Sequence, residues 1–566
     1  MNPEEQKYFL RVEAVNLGNF VYDTQDLSTV RGGGLLLLEA VSHVQKELED
    51  LSEPSSVVAI STGASSGLFE FVPKTGTTGE DVRKNIDKNL KEPVSVYHHA
   101  TFVVDVIEAG ADTEFTIKKE ELLARNRWRQ MQSPSLAIPV KVSEVTLPCT
   151  VDLVRPQSKD KSHVSKEMKR VSVSVHQRRQ FGIDSKLGEF YRGLPVFLKN
   201  TAVAMSKEAE VTAAWLLKTE HRITFTEHLD QLSSNKDFKN LHNKIAVIYA
   251  DGNSFGKLQQ EFDKEAQKTQ MEFDKKLKAY RSAFMMELLA RMQHDDSWKN
   301  NDKLRIETLL WGGDEFMLVV PAWQGWETLR LFFENSAAWN FTYINSAGKE
   351  ITQNLTHSVG MVFCHHNAPI HQVKTLAHDL AEIAKSVGKD EFYPPDQEWA
   401  ERFPFWFCDA DGCGKVTDSP TQPELCPVCG TGKLSHHKGN YFAFQVMESF
   451  DAIHGDPAEY RQSICPKTTH HGALLIAGAD MGKISDAMAV IKTDEKVSRG
   501  RIHGLVKSLV ADNTVEAKKH CDKLLDACEA ITTTALNDLE IFFHGDKARW
   551  LQIAELWDYV AASRGE

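Results

Sequence analysis

The stretch TLLWGGDEFMLVVP, Thr308 to Pro321, limits the fold more than any other part of the chain. Two apolar runs, Thr308–Trp311 and Phe316–Pro321, flank a glycine-containing turn, the pattern of a β-hairpin. Upstream, Ile245–Ala250 reads as a buried strand, and Phe255 to about His294 as a long charged helix. Downstream, Leu355–His366 reads as another strand, and IHQVKTLAHDLAEIAKSVGKD as a helix with apolar residues at helical spacing. A similar order opens the chain. Tyr8–Val15 is strand-like, STVRGGGLLLLEAVSHVQKELEDL reads as a glycine-rich turn entering a helix, and SSVVAISTGASSGLFEFV reads as a hairpin. GEDVRKNIDKNL is a polar helix and Val94–Glu108 a long β-rich run. One order of elements, met twice without evident sequence identity, predicts an α+β protein with two ferredoxin-like sheets.

At 566 residues and 42% hydrophobic composition the chain exceeds what one core can organise. The expected division is 1–108, a loosely patterned linking region 109–241, 242–455 with an insertion at 405–435, and an Ala- and Leu-rich helical region 456–566. The net charge of −13 argues against a general nucleic-acid coat but leaves room for a local basic path. Lys159–Arg179, rich in Lys, Arg and His, is either a solvated basic linker or a surface facing phosphates or an acidic partner. No apolar run approaches a membrane span, and the N-terminus is polar and acidic. Nine cysteines, an odd number and mostly scattered, then predict reduced thiols and a cytoplasmic location.

The acids carry the chemistry. Asp314 and Glu315 side by side at a hairpin tip would ordinarily be a solvated turn. In a ferredoxin-like sheet, however, the first strand lies beside the third, so the tip can stand next to Asp251 at the end of Ile245–Ala250. Three crowded carboxylates repel one another unless cations occupy the cluster. Two divalent ions about 3.5–4 Å apart would satisfy it, and Mg²⁺ or Mn²⁺ suits oxygen ligands shared with phosphates. Gly252 and Gly256, with Asn253, Ser254 and Phe255 between them, let the backbone bend toward a triphosphate and aim free amides at it. Gly312 and Gly313 leave room over the hairpin for a base or ribose. Lys385 and Lys389 are either triphosphate partners or ordinary surface lysines.

Four segments, YADGNSFGKL, LLWGGDEFMLVV, LTHSVGMVF and LAEIAKSVGKD, together resemble the palm domain of GGDEF-type nucleotidyl cyclases. More closely, they resemble the second palm of the large polymerase subunit of type III CRISPR effectors. NYFAFQVMESFDAI resembles the strand after that palm, and YDTQDLSTVRGGGLLLLEAV the opening of its degenerate first palm. The resemblance implies a metal-dependent nucleotidyltransferase that joins ATP through 3′–5′ bonds into cyclic oligoadenylates for antiviral defence. It implies guide RNA and backbone subunits as partners and target RNA as activator. Position by position, Asp251, Gly252 and Glu315 would bind the metals, and Asp314 would bind a metal or help activate the attacking 3′-hydroxyl. Several features depart from the relatives. Gln259 and Gln260 stand where diguanylate cyclases carry a guanine-reading Asn-Asp pair, and Lys303–Ile306 lacks their product-inhibition acid. Glu315 replaces the usual second aspartate of the polymerase family. Ser61–Gly67 offers no acid pair, so the first half should be catalytically dead. His378-Asp379 is read as coincidence rather than as a nuclease site. A stand-alone defence cyclase making a cyclic dinucleotide, or a scaffold subunit with little synthesis, are the competing readings.

Cys408-x4-Cys413 and Cys426-x2-Cys429 form two paired thiol sets with glycines after Cys413 and Cys429, the spacing of a four-thiolate structural Zn²⁺ site. Structural zinc supplies folding free energy. Replacing Cys426 and Cys429 by Ser is therefore expected to abolish bound zinc and lower the thermal midpoint. Metal analysis of the purified wild-type chain that finds no zinc would end this expectation.

Overall fold

The structure is a computed structural model. It describes residues 6–24, 26–63, 65–109, 115–132, 147–164, 167–185, 190–199, 201–218, 223–262, 265–345, 347–388, 405–408, 416–418, 425, 430, 434–435, 439–447, 475–543 and 546–560. Cys413, Cys426, Cys429 and Lys389 lie outside these residues, as do most of the positions expected to form the zinc-binding insertion. Phe405–Cys408 pairs with Val416–Asp418 and Leu434–Ser435 in a small antiparallel sheet.

The first unit runs β1 (Tyr8–Val15), α1 (Leu27–Leu51), β2 (Val58–Thr62), β3 (Ser66–Phe71), α2 (Gly79–Lys91) and β4 (Thr101–Glu108). Its sheet order is β2-β3-β1-β4, with β1 antiparallel to both neighbours. This is the expected ferredoxin-like arrangement. β4 begins only at Thr101, because residues 94–100 make successive turns. A linking region follows with α3 (Phe115–Gln132), β5 (Lys161–Val164), β6 (Glu167–Arg170) and α4 (Val173–Asp184). The last two arginines of the basic run are turned inward, while Lys159, Lys161 and Arg170 stay exposed. Arg178 is buried against Asp23 (2.8 Å), and Arg179 meets Asp26 at 2.6 Å.

The second unit comprises β7 (Lys244–Gly252), α5 (Phe255–Gln260), α6 (Ala266–His294), β8 (Glu307–Gly312), β9 (Glu315–Pro321), α7 (Ala322–Ser336), β10 (Asn340–Ile344), β11 (Glu350–Asn354), β12 (His357–His365) and α8 (Ile370–Gly388). β13 (Tyr441–Val446) and β14 (Leu475–Ala477) extend its sheet to the order β8-β9-β7-β12-β13-β14. β14 thus comes from a stretch read as helical. α7 is a helix the sequence reading passed over. Its Trp323, Trp326, Leu329, Phe332 and Phe333 are all buried under the sheet. Beyond β14 the described residues are helical: α9 (Met481–Thr493), α10 (Arg499–Val510), α11 (Thr514–Ala527), α12 (Ala530–Phe542) and α13 (Asp546–Leu556). They dock on the second sheet through Tyr559, whose ring lies 4.1 Å from that of Phe363.

The largest correction concerns the triple glycine. Residues 32–34 lie inside α1 rather than in a turn before it. Asp26 caps that helix by accepting the Thr29 amide at 3.0 Å. Three glycines in a helix cost about 1 kcal/mol each relative to alanine, and close packing offsets this. A Cβ on Gly32 would fall 1.7 Å from the Arg178 carbonyl oxygen, and one on Gly34 2.5 Å from the Leu309 oxygen. The helix therefore touches α4 on one side and β8 on the other, backbone to backbone. Nearby, Arg31 forms a buried ion pair with Glu307 of β8 at 2.6 Å. Gly32→Ala, which would ordinarily raise helix stability, is expected to lower it by about 1–3 kcal/mol through overpacking. Gly504→Ala in α10, where a Cβ meets nothing nearer than 4.0 Å, is expected to stabilise by up to about 1 kcal/mol. Parallel thermal or urea unfolding of the two variants checks the opposite signs.

Candidate functional site

The hairpin closes on a two-residue turn. Gly312 pairs with Glu315, which leaves Gly313 and Asp314 at the tip. Gly313 has φ +55° and open space around a notional Cβ, so the turn favours glycine there. β9 pairs with β7 so that Phe316 faces Ala250 and Met317 faces Tyr249, which sets Glu315 beside Asp251. The expected juxtaposition of the third strand with the first is present, and the three acids gather at one sheet edge.

They do not share one face. Side chains alternate along a strand. Tyr249 and Met317 pack into the core beneath α8, whereas Ala250 and Phe316 pack into the core beneath α6 and α7. By that alternation Asp251, Glu315 and Tyr249 belong to the α8 side. The Tyr249 hydroxyl donates to Glu315 Oε2 at 2.9 Å, and Lys385 of α8 forms an ion pair with Asp251. Asp314, in the turn, leans across the end of β7. A Cβ on Gly252 would stand 2.9 Å from the Asp314 Cβ and 2.6 Å from the Phe255 ring. Gly252 is therefore required so that Asp314 and Phe255 can close over the strand end.

The electrostatics follow from burial. Burial first, then the charges of Asp251 and Glu315, push the Asp314 carboxyl up to about 6, with Arg281 opposing. Burial also raises Glu315, against the hydrogen bond from Tyr249 and the positive charges of Lys374 and His378. Arg281 of α6 is itself fully buried. Burial lowers it to about 10, while Asp274, Asp314 and Glu315 hold it up. Burial lowers Lys385 too, but the Asp251 carboxylate more than compensates and the net shift is upward. His357, enclosed by the Phe255, Phe332 and Trp339 rings, is depressed to about 3 by burial and then by Arg281.

Several residues nominated from sequence take other roles. Asn253 is turned inward: its Nδ2 donates to Thr356 Oγ1 at 3.1 Å and its Oδ1 accepts from Ser358 at 2.7 Å. Phe255 is buried with its ring edge-on to Phe273. These two side chains are packed into the domain, so their part in ligand contact is limited to backbone. Ser254 adopts a left-handed conformation, φ 60°, at the start of α5, and Gly256 is open. The sequence reading missed Tyr249, Arg281, Lys374, Tyr22 and the place of His378. Lys374, His378 and Lys385 recur at the spacing of one helical face, a signal legible in the sequence. Lys374 lies 4.4 Å over the Tyr22 ring, and the His378 and Tyr249 rings are 5.4 Å apart. The first unit also reaches the tip: a Cβ on Gly63, in its own hairpin, would lie 3.8 Å from the Gly313 Cα. The Thr62 amide donates to Asp274 Oδ1 at 3.3 Å.

Among the described residues no three His, Cys, Asp or Glu side chains are grouped as ligands of one ion. The all-oxygen donor set, with burial and then mutual repulsion raising Asp314, nevertheless suits a hard divalent cation.

Residues 244–393, 150 of the chain's 566, match the family model described as Cas10/Cmr2, second palm domain. No curated protein matches the chain. Among solved structures it is similar to the Csm1-Csm4 cassette in complex with pppApApA, at 12% identity and TM-score 0.46, covering 99% of this chain and 70% of that one. The cassette in complex with cA4 (13%, TM-score 0.41) and the apo cassette (12%, TM-score 0.39) are matched over 68% and 69% of this chain. In both cases the match covers 54% of the other chain, so this chain spans about half the length of the relatives it matches there.

Asp314→Asn removes the buried charge. Because the folded carboxyl titrates at about 6, above its ordinary 3.8, ionisation costs stability at high pH. The cost disappears as pH falls through 6 to about 4. In chelator the variant is expected to melt above wild type at about pH 7.5, by the equivalent of at most about 3 kcal/mol. The difference should fade toward pH 4. Melting curves across that range check it.

Proposed function

We propose that this chain is a metal-dependent nucleotidyltransferase of the type III CRISPR cyclase class that joins ATP into cyclic oligoadenylates, activated by target RNA within a guide-RNA complex. The observation that supports it most is the convergence of Asp251, Asp314 and Glu315 on one sheet edge of a Cas10/Cmr2-type palm. In this reading Asp251, Gly252, Asp314 and Glu315 hold the Mg²⁺ or Mn²⁺ pair, and Cys408, Cys413, Cys426 and Cys429 hold a structural Zn²⁺. Divalent ions held there would supply Lewis-acid chemistry, lowering the pKa of an attacking 3′-hydroxyl and neutralising phosphoryl charge. Lys385, placed on Asp251, is then free to meet phosphate oxygens. Gly313 leaves open space over the hairpin for the nucleoside. Tyr249 steadies Glu315.

One observation favours a second reading, a scaffold subunit with little synthesis. In the structure Asp251 and Glu315 are engaged by Lys385 and Tyr249, and the acids lie on two sides of the strand end.

Asp314→Ala with Glu315→Ala separates the two. Loss of several kcal/mol of transition-state stabilisation corresponds to a fall of at least about 10³-fold in conversion of labelled ATP. The melting point in chelator should be unchanged or slightly higher. ATP is expected to be used in preference to GTP. Retained synthesis in the double variant overturns the assignment of these acids, and an inactive wild type, with Mn²⁺ and guide and target RNA, supports the scaffold. Turnover of GTP alone to cyclic di-GMP would make the chain a diguanylate cyclase.

A further inference from the structure

Glu315 is one methylene longer than aspartate and leaves the hairpin on the α8 side, beside Asp251. A long carboxylate at a metal site needs something to choose its rotamer, since each free torsion costs conformational entropy when an ion fixes it. Tyr249 supplies that fixation. It is two residues before Asp251 on the same strand, so its ring points to the same side of the sheet. Its hydroxyl donates to Glu315 Oε2 at 2.9 Å. The ring is held in turn: it is buried, sits across from Met317 in the strand register, and has the His378 ring 5.4 Å away. A carboxylate that accepts one hydrogen bond on Oε2 keeps its other oxygen for a cation.

We propose that Tyr249 is a positioning residue matched to Glu315: its hydroxyl orients the longer carboxylate so that the remaining oxygen can serve a divalent ion. This rests on the reading of Asp251, Asp314 and Glu315 as the cation site. The match is specific to glutamate, because an aspartate at 315 falls a methylene short of the hydroxyl. Partners that orient a metal ligand through a hydrogen bond change metal affinity by about 10–100-fold when removed.

The test is a double-mutant cycle on the full chain, read as Mn²⁺ affinity from the electron paramagnetic resonance signal of free Mn²⁺, without nucleotide. Tyr249→Phe in the wild-type background is expected to weaken Mn²⁺ binding by about tenfold. In the Glu315→Asp background the same change is expected to have less than about a twofold effect, because the hydrogen bond is already gone. A merely structural tyrosine would give equal losses in both backgrounds, and an irrelevant one no loss in either. Each of those results overturns the proposal while leaving the cation site intact. Absence of Mn²⁺ binding by the wild type overturns both the proposal and the cation site on which it rests.

Discussion

The architecture depends on how closely α1 of the first unit approaches the acid-bearing hairpin of the second. Gly34 lies against the Leu309 carbonyl, and Arg31 reaches Glu307 two residues earlier on the same strand. Next to that contact the ladder between β8 and β9 shifts register between Thr308 and Leu310. A buried ion pair of this kind is not a strong source of stability, since desolvation consumes most of the Coulombic gain. Loss of either partner would instead strand a charge in the core, at a cost of about 3–5 kcal/mol. The pair thus ties α1 to β8, and the glycines set how near the helix lies.

That approach places the two hairpin tips together. Gly63 stands next to Gly313, and Thr62 is tied to α6 through Asp274 and Lys278. Ser61–Gly67 offers no acid pair, yet the hairpin around it forms a wall of the site. Tyr22, also from the first unit, lies under Lys374 of α8. The candidate site is thus a seam between two similar sheets, one carrying the acids and the other limiting the space and field around them.

Within the seam the acids are handled by burial and by internal partners rather than by solvent. Lys385 and Tyr249 hold Asp251 and Glu315 on one side of the strand end, and Arg281 faces Asp314 from the other. A Lys–Asp pair and a Tyr–Glu hydrogen bond neutralise part of the repulsion that three carboxylates would otherwise suffer.

Local elements with clear apolar runs or helical spacing were legible in the sequence. β1 and both hairpins lie where their apolar runs put them, α8 where its apolar residues recur at helical spacing, and α2 and α6 where polar and charged helices were expected; the ferredoxin-like order followed from their succession. The meeting of Asp251 with the hairpin acids was also legible, because strand order in such a sheet makes the first and third strands neighbours. The glycines of α1 were not legible, since local propensity reads three glycines as a turn. Only the nearness of the Arg178 and Leu309 carbonyls shows why a helix needs them. Likewise Arg178 and Arg179 read as solvated basic residues until Asp23 and Asp26, more than 150 positions away, come to meet them. The division of the acids between two sides, the inward turn of Asn253, and the parts of Tyr249 and Arg281 were decided by tertiary structure alone. Each depends on contacts between segments far apart in the chain, and the pattern of one segment holds no information about the partner that will neutralise, orient or bury it.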